Sequence, residues 1–167
     1  MKKKTPKKLM SDENDQICYW ITVIESNGKD AFDNKELSRP VAVHHLIHKT
    51  KSSMRWCLRD LFAMKQGNHA LIHSFGKEPE FVGKIIGEKG QIWFDNLHDE
   101  AYIFNRNFKM DLSTVSYFNE ELKVYFKKVS GIDWEDFIRI KGIEKDKDFG
   151  RWRKVYLLWS KGKWEDL

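Results

Sequence analysis

The apolar positions of this chain change their period several times, and the changes divide it into elements. Ile17 to Ile24, "ICYWITVI", is a continuous run of β-branched and aromatic side chains, which predicts a buried strand. Asn27-Gly28 marks a turn after it, and residues 29–37 are polar enough for a loop. Arg39-Pro40 introduces Val41-Ala42-Val43, a short strand that delivers His44 and His45 at its end. Thr50 to Ser53, small and polar, reads as a loop. Met54 to Met64 is open between two states: Leu58, Leu61 and Phe62 have helical spacing, while Leu61-Phe62-Ala63-Met64 equally fits a short buried strand. Gly67-Asn68 begins a helix with Asn68 as N-cap, running to about Phe75 and carrying His69 and His73 on one face.

The second half reads as scaffold. Gly90 to Phe94 and Ala101 to Phe104 predict a hairpin across "DNLHDE". Asp111 or Ser113 caps a helix whose apolar face is Val115, Phe118, Leu122, Tyr125 and Phe126, and Gly131 ends it. Asp133 caps another, with Trp134, Phe137 and Ile138, ended by Gly142. The last stretch, "GRWRKVYLLWSKGKW", interleaves cations with aromatics. It fits a closing amphipathic helix with its aromatics in the core, or a surface on which bases stack while the cations hold phosphates.

Composition narrows the class. At 167 residues with 41% apolar and 33% charged positions, the expectation is one globular domain with a sizeable core. The sequence has neither an apolar run near the roughly 20 residues of a bilayer span nor a signal-peptide pattern. Cys18 and Cys57 form no CxxC pair, which points to a reducing cytoplasm and away from a cysteine-ligated zinc knuckle. The net charge of +5 resides in Lys2, Lys3, Lys4, Lys7 and Lys8; without them basic and acidic residues balance at 25 each. Residues 1–12 therefore read as a disordered basic tail, either holding phosphates without reading sequence or serving as a solubilising end. Residues 13–167 make up the globular body.

The candidate chemistry lies in the histidines. Five of six fall between Val43 and Ser74: His44 and His45 in "AVHHLIHK", then His48, and His69 and His73 in "GNHALIHS". Histidine is both a common metal ligand and a proton carrier near neutral pH. Taken singly, each has a plain reading as polar surface or an internal hydrogen-bond partner. Their order and spacing, with Asp60 between them, resemble the motif of HNH-family, ββα-metal endonucleases of the phage and homing type, which sometimes lack zinc-knuckle cysteines. The resemblance covers about 32 residues, within a unit spanning about 39–76.

That resemblance implies an α+β fold, with a ββα unit on a small sheet and a C-terminal helical part packed on it. It implies His44 as metal ligand, His45 as general base, His69 as the closing metal ligand, and His73 as a further one. One divalent cation, Mg²⁺, Mn²⁺, Zn²⁺ or Ni²⁺, is the implied cofactor, and DNA the implied partner, in the cytoplasm of a host cell if the gene is phage-borne. Lys49, Lys51 and Arg55 fall where phosphate contacts are expected, as do Lys2, Lys3 and Lys4. Asp60 stands where the family has Asn. A carboxylate there either joins the metal or, by favouring protonated His45, weakens the base. The competing reading is a non-catalytic protein with a degenerate HNH-like fold that binds nucleic acid or a host protein. A two-histidine phosphoesterase fits less well, because His48-Lys49-Thr50 has no matching partner: His73-Ser74-Phe75 lacks the third-position hydroxyl.

Overall fold

The structure, a computed structural model, describes residues 4–38, 40–47, 54–107 and 109–141. Outside these lie Lys2, Lys3, His48, Lys49, Lys51, the proposed 50–53 loop, Gly142 and the basic-aromatic C-terminal stretch. The described residues form an α+β arrangement of six helices and one two-stranded antiparallel sheet.

Helix α1, Pro6–Glu25, starts where Thr5 accepts a hydrogen bond from the Lys8 amide (3.3 Å) and Pro6 supplies a helical φ. It ends at Ser26, after which Asn27 and Gly28 turn the chain with φ of 49° and 72°. Two expectations are corrected here. The run Ile17 to Ile24 is helical, not a strand, and residues 6–12 of the supposed tail are ordered helix. The strand-like composition has a packing cause. Ile17, Ile21 and Ile24 recur at helical spacing, and Cys18, Trp20 and Val23 beside them are buried too. A helix covered on more than one side carries apolar residues beyond a single stripe and loses its visible period.

The sheet is a hairpin of β1 (Val41–His45) and β2 (Leu61–Lys65), with Val43 opposite Ala63 and His45 opposite Leu61. In the ambiguous 54–64 stretch a 3₁₀ turn, Leu58–Asp60, leads into β2. Because strand side chains alternate, the hairpin serves two cores. Val41, Val43, Leu61 and Ala63 join the core built on α1, while Phe62 and Met64 join a second core on the opposite face.

That second core is made by α2 (Gln66–Ser74), α3 (Glu78–Lys89) and α4 (Gln91–Asn107) through Ile72, Phe81, Ile85, Leu97 and Ala101. The predicted hairpin between Gly90 and Phe104 is instead α4. Trp93, Leu97 and Ala101 recur every four residues toward Phe81 and Ile85 with Phe94 beside them, while Tyr102 and Ile103 face outward. Gly90, at φ 94°, separates α3 from α4. Helices α5 (Leu112–Ser130) and α6 (Trp134–Lys141) agree with expectation: Asp111 caps α5 by accepting from the Thr114 amide (3.0 Å), and Gly131 closes it in the left-handed region at φ 79°. α5 packs chiefly on α1, through Val115, Leu122 and Phe126, with Trp134 and Phe137 of α6 completing the core. Among the described residues no helix is long and apolar enough to cross a membrane.

Candidate metal centre

Three histidines meet where β1 ends and α2 passes it. His44 points to the face opposite α1 and is 1% exposed. Its ring lies 5.3 Å from Phe81, 5.5 Å from His69 and 5.0 Å from His73. His69 and His73 are one turn apart on α2, with centroids 4.5 Å from each other. The start of α2 is fixed by Asp30, fully buried in the turn after α1. One Asp30 oxygen accepts the Phe32 amide (2.8 Å), and the other accepts the amide of Lys65, where β2 becomes α2 (2.6 Å). The helix begins at Gln66, two residues before the expected N-cap Asn68, because this carboxylate occupies the end of the strand.

One ligand nitrogen from each of His44, His69 and His73 lies within 4.8 Å of the others. Bonds of about 2.1 Å at tetrahedral angles place two ligand nitrogens about 3.4 Å apart. His44 Nδ1 and His73 Nε2 stand 3.2 Å apart, so that pair already has the spacing of two ligands on one cation. Burial grades from His44, buried, through His69, half-buried, to His73, exposed. The cluster therefore opens on one side, as a centre must if water or substrate is to share it. His69 is held below its ordinary proton affinity, first by burial and then by the neighbouring charges of His73 and His45. This favours the neutral ring that a metal needs.

His45 points elsewhere. Its Nε2 is 3.2 Å from the carbonyl oxygen of Arg55. A carbonyl only accepts, so Nε2 carries the hydrogen and the neutral ring keeps its basic lone pair on Nδ1. Arg55 has a different place from the phosphate contact expected of it. Its Nε and Nη2 donate to the two oxygens of Asp15 at 2.8 and 2.5 Å, and that pairing raises the guanidinium's pKa. Among the tail lysines, Lys4 pairs with Asp12 at 2.9 Å, as does Lys8 at 2.6 Å.

Asp60 neither joins the three nitrogens nor bonds the His45 ring. It is 0% exposed. Its Oδ1 accepts the Ile47 amide (2.6 Å) and its own carbonyl accepts the Leu46 amide (2.9 Å). It pins the two residues that follow His45, a backbone tether rather than a ligand or a direct orienter of the base. Its Oδ2 has no partner among the described residues. Burial pushes its pKa up to about 8, against the pull of the Ile47 and Leu46 amides.

Two residues essential to this geometry, Asp15 and Asp30, carried no signal in the sequence, since each acts on partners 35 to 41 positions away. Comparison of the chain with family models, with curated proteins and with solved structures found no match, so the reading of the site rests on its own geometry.

Proposed function

We propose that the chain is a metal-dependent DNA endonuclease of the HNH type, with His44, His69 and His73 holding one divalent cation and His45 acting as general base. The observation that supports this most is convergence. Three histidines from a hairpin and the helix after it turn their rings to one another, and His45, beside one of them in the chain, turns to a carbonyl. A bound cation would polarise the scissile phosphate and stabilise the leaving oxygen. The chain's own contribution is to present neutral imidazoles at the buried end and an open approach at His73. His45, with hydrogen on Nε2, takes the proton of the attacking water at Nδ1. Asp60 keeps Leu46 and Ile47 in place behind it.

The test is plasmid cleavage in Mn²⁺. His45→Ala lowers the rate about 10²- to 10⁴-fold, the contribution of a positioned base, while calorimetry shows metal binding retained. A wild-type protein that cleaves no DNA with Mg²⁺, Mn²⁺, Zn²⁺ or Ni²⁺ removes the enzyme reading in favour of a non-catalytic binding protein. Equal cleavage by His45→Ala assigns the base elsewhere.

A further inference from the structure

His45 Nε2 meets the carbonyl oxygen of Arg55 at 3.2 Å, and the peptide bearing that carbonyl joins Arg55 to Trp56. The side chains on both sides of this peptide end on the same carboxylate. Asp15 of α1 receives Arg55 Nε (2.8 Å) and Trp56 Nε1 (2.9 Å) on Oδ1, and Arg55 Nη2 (2.5 Å) on Oδ2. Trp56 is itself buried, its ring 5.5 Å from Phe118 of α5, and the Cys57 amide closes the turn onto the Met54 carbonyl (3.2 Å). A peptide unit is planar and turns about two soft torsions, one on each side. Holding both flanking side chains at one point removes most of that freedom and fixes the direction of the carbonyl between them.

We propose that Asp15 is a positioning residue for His45: by clamping Arg55 and Trp56 together it aims the Arg55 carbonyl at His45 Nε2 and so fixes the tautomer that leaves Nδ1 basic. The inference rests on the nuclease reading for its catalytic consequence, but its structural content stands apart from it. Asp15 lies on the α1 side of the hairpin and the three-histidine cluster on the other, so Asp15 governs the base without governing the metal. A bidentate Arg–carboxylate pair with a third donor is rigid enough for this role. The arrangement resembles the way an outer carboxylate fixes the tautomer of a metal-bound imidazole, with a peptide group inserted between carboxylate and ring.

The experiment compares wild type, Asp15→Ala and Asp15→Asn, the last keeping the shape and one acceptor oxygen. Nitrogen-15 NMR of the imidazoles, at about pH 8 where an ordinary histidine is neutral, reads the His45 tautomer. Wild type shows hydrogen on Nε2. Asp15→Ala shows a mixture, and Asp15→Asn carries the same readout should the alanine variant not fold. In plasmid cleavage with Mn²⁺, kcat falls about ten- to hundredfold, the scale of a small misplacement, at unchanged KM, and Zn²⁺ affinity by calorimetry is unaltered. A wild-type ring with hydrogen on Nδ1, or an Nε2–H tautomer as dominant in folded Asp15 variants as in wild type, overturns the proposal. If the wild type cleaves no DNA, the nuclease reading falls, and the tautomer measurement still decides the role of Asp15.

Discussion

Replacing Asp60 by Asn changes the charge of a fully buried group without changing its shape, and the consequence for stability can be worked through. The Asp60 carboxyl has an ordinary value of 3.8 and is raised to about 8 in the fold. Between those values the folded chain binds a proton that the unfolded chain has released. Its contribution to stability is thus fully present below 3.8 and is lost as pH rises toward 8. At about 1.4 kcal/mol per pH unit, roughly four units set a ceiling of about 5–6 kcal/mol. Relaxation around a buried charge reduces this to about 2–3 kcal/mol. Asn keeps an oxygen for the Ile47 amide and never ionises, but its amino group takes the place of Oδ2, which lacks a partner among the described residues, at a cost of about 1–3 kcal/mol. About three of the four units lie above pH 5, so the variant starts near or below wild type at pH 5 and gains on it by about 2 kcal/mol by pH 9, or about 4–8 °C in melting temperature. Urea unfolding from pH 5 to 9 measures this directly, and the difference between the two proteins cancels other groups titrating in the window. Parallel curves would refute the reasoning and show the carboxylate to be solvated or paired. Cleavage by Asp60→Asn should be retained, since the tether to Ile47 survives.

Other consequences can be checked as simply. The lowered proton affinity of His69 means that the fold gains stability as pH rises toward the ordinary 6.5 and loses it as pH falls through the lowered value. His69→Asn should flatten that limb in acid titrations and weaken Zn²⁺ binding at least the ~10-fold that loss of an outer partner costs. Asn119 is 3% exposed and donates to Asn14 Oδ1 (2.7 Å) and Glu13 Oε2 (3.0 Å) across the α1–α5 contact. Asn119→Ala should cost about 2–3 kcal/mol in denaturant unfolding, with metal affinity unchanged.

What could be read in the sequence was what depended on neighbours along it. Asp111 and Gly131 bracket α5 by local capping, and both act as their chemistry predicts. Val41 to His45 was legible as a strand because Pro40 introduces it and the histidines follow. His44, His69 and His73 were legible as a group because histidines cluster in one short stretch of the chain, and they lie together. The failures share a different cause. The strand composition of Ile17 to Ile24 reflects burial against both the hairpin and α5, which a one-dimensional period cannot show. In α4 the aromatics Trp93 and Phe94 imitated a strand, while the fourfold recurrence of Trp93, Leu97 and Ala101 was the informative pattern. Arg55 looked like a phosphate ligand because its partner Asp15 lies 40 positions upstream. The motif position of Asp60 suggests either a metal ligand or a group acting on His45, whereas its bonds run to the backbone after His45.

The clasp between α1 and α5 has a consequence for how the chain is made. Asn14 Nδ2 bonds the Val115 carbonyl across 101 positions, and Asn119 reaches Glu13 across 106. Between them the chain builds the hairpin and the helices that carry the histidines. At about 5–20 residues per second on the ribosome, α1 waits on the order of 5–20 s for its partner, with Ile17, Trp20, Ile21 and Ile24 uncovered for much of that interval. Contacts of such separation also slow folding once the chain is complete, because loop closure precedes the reward of packing. The hairpin covers part of α1 earlier, but its α5-facing side stays open until α5 is made, so that side is exposed to chaperone capture and aggregation during synthesis.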